Sequence, residues 1–360
     1  KTISSGLEGL DDGQGYSLFS DHLCSVLRRN ESGVKVSTKH RLTVPSAYQR
    51  LKKLNYRSSE GELYYRPGTV LEAIRLRVLR QGSCFIGSEL FAEDQSPGPG
   101  NAVLISLDSV EELREIIFED GNWEIGTGVT LRSFAERLRN EFPLIDDFCK
   151  RFTDAHFVNR FAVLEEFNST GPGSGILTVL LALGAGAVID GLDERRSMSL
   201  EELLYEETLS AVGEQELITA VTVPGSGGSK TLTSYYQVME GPYEKVPIIR
   251  ASFLVELDSK DRVSDSRIWF DTGSGLPIRF DSAEKLIAGR PWTRELQQQI
   301  SAVIGSGEGI AGNLGLSSNF QRVLIQNLLL KFINEQLGDP GPGAHEFIDL
   351  ESELTVRGKE

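Results

Sequence analysis

The chain has 360 residues, 39% hydrophobic and 25% charged, which is enough for two or three globular domains with a large buried core. Its formal net charge of −15 opposes binding to nucleic-acid phosphates and to anionic membranes, so we expect neither as a partner. No apolar run approaches the roughly 18 residues that a membrane-spanning helix requires. The chain begins with Lys1 rather than Met, and we expect a native start to precede it.

Residues 1–60 have the composition of an N-terminal extension or linker, with an amphipathic segment at Tyr16–Arg29 and a basic patch at Lys39–Arg57. From Tyr64 onwards, short apolar strands alternate with helices, which is typical of an α/β layer. The predicted helices are Val70–Val78 with Thr69 as N-cap, Val110–Ile117, Leu131–Phe142 with Thr130 as N-cap and Pro143 at its end, Leu177–Leu183, and Leu200–Leu204. The predicted strands are Ser83–Ile86, Ala102–Ser106, Trp123–Gly126, Ala187–Asp190 and Glu216–Val223.

The pattern changes after a Gly/Ser-rich loop at Gly225–Lys230, which indicates a domain boundary. Three β-rich runs follow, and they predict an antiparallel meander: Thr231–Met239, Ile248–Asp258 and Val263–Asp271. The predicted helices after them are Ser282–Ile287, Thr293–Ile304 and Asn319–Leu337. Residues 339–360 form a polar, Pro/Gly-rich tail.

The cysteines and histidines do not have the spacing of a metal site. The three cysteines, Cys24, Cys84 and Cys149, include no Cys-x-x-Cys pair, which argues against an iron–sulfur cluster or a structural zinc ion in this chain. The four histidines form no His-x-His or His-x-x-x-His pattern. We therefore expect no metal here, and three inert thiols in a reducing cytoplasm.

Five fragments in this order resemble the flavin-binding (medium) subunit or domain of the xanthine dehydrogenase family of molybdenum hydroxylases, which includes carbon monoxide dehydrogenase. They are YYRPGTVLEAIRL, VLISLDSVEELREI, WEIGTGVTLRSFAERL, LLALGAGAVIDG and LPIRFDSAEKLIAGRPWT. The resemblance covers roughly Tyr64–Leu337 and implies an α+β protein. It predicts a PCMH-type FAD-binding domain at 61–226, with α/β subdomains at about 61–118 and 119–226. A C-terminal domain of the CO-dehydrogenase flavoprotein type, an antiparallel sheet with helices, is predicted at 230–338.

The resemblance also implies that FAD lies between the two subdomains. Backbone N–H groups of two glycine-containing loops would hold its diphosphate, because such a nest of donors is a socket for phosphate. The first loop corresponds to Ile86-Gly87-Ser88-Glu89-Leu90. The second loop lies within Phe152–Ala185, where two registers are open.

In the register without gaps, a Gly-Gly-Asn triplet of the family falls on Leu164-Glu165-Glu166, and Gly175 stands where the family has an aspartate. Two carboxylates would then face the diphosphate, and at an effective dielectric of ~20 each pair of like unit charges ~4 Å apart costs about 4 kcal/mol. In a register shifted by two residues, Asn168 takes the place of the asparagine. Ser169-Thr170-Gly171 then forms the nest, and Gly175 belongs to the flexible loop before the helix.

Two further departures from the family lie in the last domain. Met239-Glu240-Gly241-Pro242 stands where the family often has basic residues, and Phe270-Asp271-Thr272-Gly273 stands where a Gly-Gly pair is expected.

The resemblance supports two hypotheses on function. In the first, the chain holds FAD and passes electrons from a 2Fe–2S subunit to an external acceptor, while a molybdenum-cofactor subunit acts on the substrate. In the second, it is a flavin-free structural subunit that bridges the same kind of complex. Both imply a cytoplasmic hetero-oligomer, and neither places a catalytic residue on this chain.

Overall fold

The computed structural model describes residues 40–43, 53–57, 63–86, 103–151, 162, 175–205, 212–213, 215–226, 230–239, 247–272, 276–305 and 319–338. These residues all belong to one unit of the chain, residues 40–360. The described strands are β1 (His40–Thr43), β2 (Leu54–Arg57), β3 (Leu63–Arg66), β4 (Cys84–Ile86), β5 (Val103–Ser106), β6 (Glu115–Glu119), β7 (Asn122–Gly126), β8 (Gly186–Asp190), β9 (Arg195–Ser199), β10 (Leu217–Pro224), β11 (Lys230–Met239), β12 (Pro247–Leu257), β13 (Val263–Asp271) and β14 (Ile278–Arg279). The described helices are α1 (Val70–Leu79), α2 (Leu131–Leu138), α3 (Pro143–Cys149), α4 (Ile176–Ala182), α5 (Leu200–Tyr205), α6 (Asp281–Ile287), α7 (Arg294–Gly305) and α8 (Asn319–Gln336), with a 3₁₀ helix at Glu111–Arg114.

The strands form three sheets, and together with the helices they make the α+β fold class that the sequence predicts. The first sheet has the order β2-β3-β5-β4, in which β5 pairs in parallel with both β3 and β4. Helix α1 connects β3 to β4 and begins where expected, because the side chain of Thr69 accepts the N–H of Glu72 at 3.2 Å. The α1 residues Ala73 and Ile74 pack with Ile105 of β5 and bury this side of the sheet.

The second sheet, of order β1-β6-β7-β10-β8-β9, is antiparallel throughout. It corrects the predicted helix Val110–Ile117, which is a single 3₁₀ turn followed by strand β6. Asp120 and Gly121, both with positive φ, turn the chain so that β6 and β7 form a hairpin. The Asp-Gly pair was the sequence signal for this hairpin. Pairing of β6 with β7 and β1 overrides the helical spacing of apolar residues in Val110–Ile117.

The segment after β7 corrects a second prediction. Helix α2 begins at its predicted N-cap, Thr130, but ends at Leu138 rather than Phe142. Pro143 starts the next helix, α3, instead of merely closing the previous one. This agrees with the preference of proline for the first turn of a helix, where its missing N–H costs nothing.

The fragment Ile125–Leu131, a strong part of the family resemblance, has a packing role. A side chain at Gly126 would collide with the backbone carbonyl of Leu113 in the 3₁₀ turn. The N–H of Gly128 donates to that same carbonyl at 2.8 Å. Gly126 is therefore needed for the close approach of two backbone segments, and this approach fixes the 3₁₀ turn against the sheet.

The third sheet, β11-β12-β13-β14, confirms the predicted meander. Alternate residues of β12 face opposite sides, as the two-residue period of a strand requires. Ile249, Ala251, Phe253 and Val255 join an apolar cluster with helices α6, α7 and α8. The other face carries Tyr235, Leu254 and Trp269, which belong to the large core of the first domain together with residues of α3 and α4.

Two of the strands lie inside the segment 1–60 that the composition marks as an extension. Strand β1 pairs with β6, and β2 pairs with β3, so residues 40–43 and 54–57 are edge strands of two sheets. In the described part of the chain, no helix combines the length and the apolar character needed to cross a membrane.

Candidate functional site

Two of the predicted flavin-loop residues, Ile86 and Gly175, lie within the described residues. The remaining predicted site residues fall outside them: Gly87, Ser88, Glu89, Leu90, Asn168, Ser169, Thr170 and Gly171. The same holds for Glu165 and Glu166, so the choice between the two registers stays a prediction.

Ile86 is the last residue of β4, and its carbonyl accepts the N–H of Leu107 at 2.9 Å. It pairs with Ser106, the last residue of the parallel neighbour β5. The carboxyl ends of parallel strands in open α/β sheets are the usual place for a ligand. Strand β4 therefore ends, at Ile86, on the edge of the sheet where a cofactor-binding loop is expected to begin.

Gly175 is the N-cap of α4 and has a φ of +88°, a conformation that disfavours other residues. A side chain here would also overlap Cδ of Arg250 and come within 2.7 Å of the Tyr235 hydroxyl oxygen. The position has no room for the aspartate that the register without gaps would place there. Packing against the C-terminal domain thus explains this departure from the family pattern.

Arg250 is the charged group of this region. It is 5% exposed, and its Nη1 donates to Oδ2 of Asp271 at 2.6 Å, across the pair that joins β12 to β13. Its Nε is buried and has no hydrogen-bond partner among the described residues. This Nε lies 3.1 Å from where a Cβ of Gly175 would stand. The start of α4 is therefore packed against the buried side chain of Arg250.

Hydrogen bonds and ring contacts fasten α4 and α3 to this face of the third sheet. Ser252 Oγ donates to Thr178 Oγ1 at 2.9 Å, and Thr178 Oγ1 donates to the Gly175 carbonyl at 2.8 Å; both side chains are fully buried. At the other end of α4, Arg267 donates to the Ala182 carbonyl at 3.2 Å. Tyr235 meets Phe148 of α3 edge-on, with ring centroids 5.2 Å apart. The position of α4 is thus set by contacts with the C-terminal domain as well as by contacts within the first domain.

The sequence reasoning missed Arg250, Tyr235 and Ser252 as parts of a site. The available signal was polar residues at alternate positions in the apolar strand PIIRASFLVEL, where Arg250 and Ser252 occupy one face. Asp271 was noted as a departure from a glycine, but its partner lies on another strand. Glu240, Gly241 and Pro242, the other departure, lie outside the described residues.

The described residues include no group of three or more His, Cys, Asp and Glu side chains placed to hold a metal ion. Burial raises the pKa of the Cys149 thiol to about 12, so this thiol is protonated and unreactive at neutral pH. Cys84 is likewise a free cysteine.

Comparison with known proteins places these features in a family. Residues 55–226 match the family of the FAD binding domain in molybdopterin dehydrogenase. Residues 234–336 match the family of the CO dehydrogenase flavoprotein C-terminal domain. The chain belongs to the flavoprotein family of the xanthine and carbon monoxide dehydrogenases. It therefore carries an FAD-binding domain, and FAD is its cofactor.

Individual relatives of this flavoprotein are distant. Xanthine dehydrogenase of Emericella nidulans is 19% identical over 243 residues, which cover 64% of this chain and 18% of that protein. Xanthine dehydrogenase 2 of Arabidopsis thaliana is 23% identical over 341 residues, which cover 87% of this chain and 24% of that protein. The chain thus spans about a quarter or less of the length of these relatives.

Among solved structures, carbon monoxide dehydrogenase from Hydrogenophaga pseudoflava, in a form that lacks the Mo-pyranopterin moiety of its molybdenum cofactor, has a similar chain. The TM-score is 0.61 at 19% identity, and the match covers 80% of this chain and 98% of that chain. At this identity the likeness shows a shared fold.

The described residues around Gly175 leave no open space for a diphosphate, because a Cβ there would stand 2.4 Å from Cδ of Arg250 and 2.7 Å from the Tyr235 hydroxyl oxygen. The predicted diphosphate loops, one after Ile86 and one before Gly175, lie outside the described residues.

Proposed function

We propose that this flavoprotein is the FAD-binding subunit of a molybdenum hydroxylase and relays electrons from a 2Fe–2S partner subunit to an external acceptor. FAD, when bound, takes up electrons singly or in pairs, and the protein supplies binding and orientation. The observation that carries the proposal is the match of residues 55–226 to the FAD binding domain in molybdopterin dehydrogenase, in which Ile86 ends β4 at the carboxyl edge of the first sheet.

In this proposal, each domain of the chain has a distinct part. Residues 61–226 hold the cofactor through the loops after Ile86 and before Gly175, and residues 230–338 support α4 from the other side. The loop residues we assign are Gly87, Ser88, Glu89, Leu90, Asn168, Ser169, Thr170 and Gly171. The described residues fix the position of α4, because Ser252 and Arg267 of the third sheet are hydrogen-bonded to it.

The partners follow from the same family membership. We infer a cytoplasmic hetero-oligomer with a molybdenum-cofactor subunit and a 2Fe–2S subunit. The names of the relatives support this inference, since xanthine dehydrogenases several times the length of this chain match it over one portion of their length.

The test is electron transfer in the assembled complex. The chain is purified with its co-expressed partners, its FAD content is measured, and the complex is mixed rapidly with substrate while flavin bleaching is followed. We expect FAD at one per chain, reduced before the external acceptor. A complex without this chain should reduce the acceptor far more slowly; an equal rate would contradict the relay.

The flavin-free structural role is favoured by one observation, which is that Asp271 already neutralises Arg250. The same purification separates the two roles. A colourless chain that takes up no added FAD, yet still assembles with its partners, would establish the structural role and contradict the relay.

The two registers of the second loop are distinguished by substitution. In the shifted register, Gly171→Glu places a charge in the nest and lowers the affinity for FAD, while Glu165→Gln with Glu166→Gln changes little. In the register without gaps, the double substitution raises the affinity instead. An unchanged affinity in both variants would show that neither segment contacts the diphosphate.

A further inference from the structure

The outer side of helix α1 combines apolar and basic side chains. Leu71, Arg75 and Leu79 follow one another at intervals of four residues, so they lie on one side of the helix. Leu71 is 43% exposed and Leu79 is 75% exposed, whereas Ala73 and Ile74 are buried in the core of the first sheet. Packing of α1 on its own sheet therefore does not cover these two leucines.

Arginines surround the outer side of α1 near its C-terminal end. The Arg80 guanidinium lies over the ring of Tyr65, 5.7 Å from the ring centroid, and the Arg77 guanidinium lies over the ring of Phe85 at 5.4 Å. An aromatic ring attracts a cation without neutralising it. These contacts therefore fix the positions of two positive charges beside the exposed leucines. We call Leu71, Arg75, Leu79 and Arg80 the α1 surface.

The charge of this region is opposite to that of the whole chain. Residues 53–57 and 63–86 include six basic residues and one acidic residue, Glu72, which pairs with Lys53 at 2.6 Å. Within the described part of the chain, no carboxylate forms an ion pair with Arg75 or Arg80. In a chain with a formal net charge of −15, such a local excess of positive charge favours contact with an acidic segment.

The tail contains a segment of complementary composition. Residues 346–354, with the sequence EFIDLESEL, include four acidic residues and no basic residue. Phe347, Leu350 and Leu354 are spaced i, i+3 and i+7, which is the spacing of apolar anchors on a helix that binds in a groove. The segment lies outside the described residues, and it follows the family match of the C-terminal domain, which ends at residue 336.

We propose that the acidic segment 346–354 docks on the α1 surface of the same molecule. Its apolar residues cover Leu71 and Leu79, and its carboxylates pair with Arg75 and Arg80. Burial of the leucines supplies most of the stabilisation, because exposed ion pairs add little and mainly set partner and orientation. The seven residues between Gly338 and Glu346 let the segment begin up to about 25 Å from the end of α8. The proposal does not involve FAD, so it stands or fails separately from the proposed function.

The test measures how fast chymotrypsin cleaves the full chain after Phe347, followed by mass spectrometry. A docked segment is cleaved only when it is released, so the rate reports the fraction of molecules with a free segment. Arg75→Glu with Arg80→Glu should repel the segment and raise the cleavage rate about tenfold, which corresponds to about 1.4 kcal/mol. The midpoint of thermal unfolding shows whether the variant is folded.

Two controls accompany this variant. Arg132→Glu with Arg139→Glu makes the same change of charge at two exposed positions of α2 and its C-cap, and should leave the cleavage rate as in wild type. A free peptide of residues 344–356 gives the rate for an unprotected segment, which wild type should not reach.

Exchange of the charges tests the pairing itself. Glu351→Arg with Glu353→Arg should release the segment from the wild-type α1 surface. Combined with Arg75→Glu and Arg80→Glu, the same tail change should restore slow cleavage, because opposite charges again face each other. Rates for the corresponding free peptides correct for any direct effect of the substitutions on the protease.

A tail variant covers the case in which the surface variant does not fold. Leu350→Ser with Leu354→Ser changes no described residue, so both domains keep their own packing. It should speed backbone hydrogen exchange in α1, residues 70–79, and leave exchange in α8 unchanged. Equal exchange of α1 in this variant and in wild type would overturn the proposal.

Three further outcomes would overturn it. The first is cleavage of wild type as fast as the free peptide, which would show an undocked segment. The second is fast cleavage in the charge-exchanged chain, which would show that these charges do not meet. The third is protection that disappears on dilution, since the segment would then come from a second copy of the chain.

Discussion

The two faces of the strands β11, β12 and β13 differ in chemistry although they alternate along the same residues. On one face, Phe253 stacks on Phe332 with ring centroids 4.8 Å apart, among side chains that are almost all apolar. On the other face, Arg250, Ser252 and Asp271 stand among apolar neighbours, and Arg250 and Ser252 contact the first domain at Gly175 and Thr178. The comparison teaches that one face holds the C-terminal domain together, while the other positions the cofactor-binding domain.

We call the face with Arg250, Ser252 and Asp271 the mixed face and the face with Phe253 the apolar face. The mixed face has an energetic cost of burying polar groups that the apolar face does not have. Buried polar groups must be hydrogen-bonded, and Arg250, Asp271, Ser252 and Thr178 meet this requirement largely through each other and the backbone. Among these four residues, the exception is the Nε of Arg250, which has no hydrogen-bond partner among the described residues.

The largest expected effect comes from the apolar face. Phe253→Ala removes a fully buried ring that contacts Phe332, Phe270 and Tyr236, and should lower the free energy of unfolding by about 3–5 kcal/mol. Phe320→Ala, at a 51% exposed position of α8, is the matched control and should stay within about 0.5 kcal/mol. Chemical denaturation measures both. A similar loss in the two variants would contradict the assignment of the faces.

The next effect comes from the mixed face. Gly175→Ala combines an unfavourable φ with an overlap against Arg250 and Tyr235, and should cost more than the roughly 1 kcal/mol of backbone strain alone. Gly289→Ala, with a φ of +70° and open space around it, isolates the strain. We expect Gly175→Ala also to weaken FAD binding, as followed by flavin fluorescence. Equal unfolding free energies and unchanged FAD binding would show that Gly175 is not packed as described.

A smaller effect is expected at the hydroxyl pair that joins the domains. Ser252→Ala removes the bond to Thr178, which keeps its own bond to the Gly175 carbonyl, so the loss should be about 1 kcal/mol. Ser266→Ala, on the opposite side of β13 and away from α4, serves as a comparison in the same sheet. A loss above about 3 kcal/mol would mean that the pair is part of a wider network than the described residues show.

The smallest effect concerns pH. A hydrogen bond from Arg196 holds the pKa of Glu216 below its usual value of 4.5. A lowered folded-state pKa gives stability that is present above the unfolded pKa and is lost as the pH falls through the folded pKa. Wild type should therefore lose stability as the pH falls below about 4.5, and the Glu216→Gln variant should lose less. The difference between the two in free energy of unfolding should be less than about 1 kcal/mol, because the pair of Arg196 and Glu216 is partly exposed. If the stability of wild type and of Glu216→Gln fell in parallel as the pH is lowered, the prediction would be contradicted.

Local patterns predicted the elements that local physics decides. Thr69 and Thr130 marked helix starts, and the apolar run at Leu177–Leu183 marked a buried helix, which is observed at Ile176–Ala182. The wrong prediction, a helix at Val110–Ile117, failed where a strand is stabilised by partners far along the chain, such as Thr43 beside Glu115. Pairing between distant strands overrides local propensity.

The same limit applied to the site. Gly175 was identified from the loop pattern, but the groups that surround it, Arg250 and Tyr235, come from strands of the other domain. The pairing of Arg250 with Asp271 depends on the register of β12 against β13, which no single segment encodes. Family resemblance predicted the loops, which stay a prediction, and the cross-strand pairing required the structure.

The most direct test of the central claim, that FAD binds through the loop that leads into α4, is backbone hydrogen exchange with and without saturating FAD. The account predicts slower exchange in α4, at residues 176–182, and in the part of β12 that contains Arg250 and Ser252. Exchange in α8, on the apolar face, should change little. FAD that saturates the protein while leaving exchange in α4 and β12 unaltered would contradict the account.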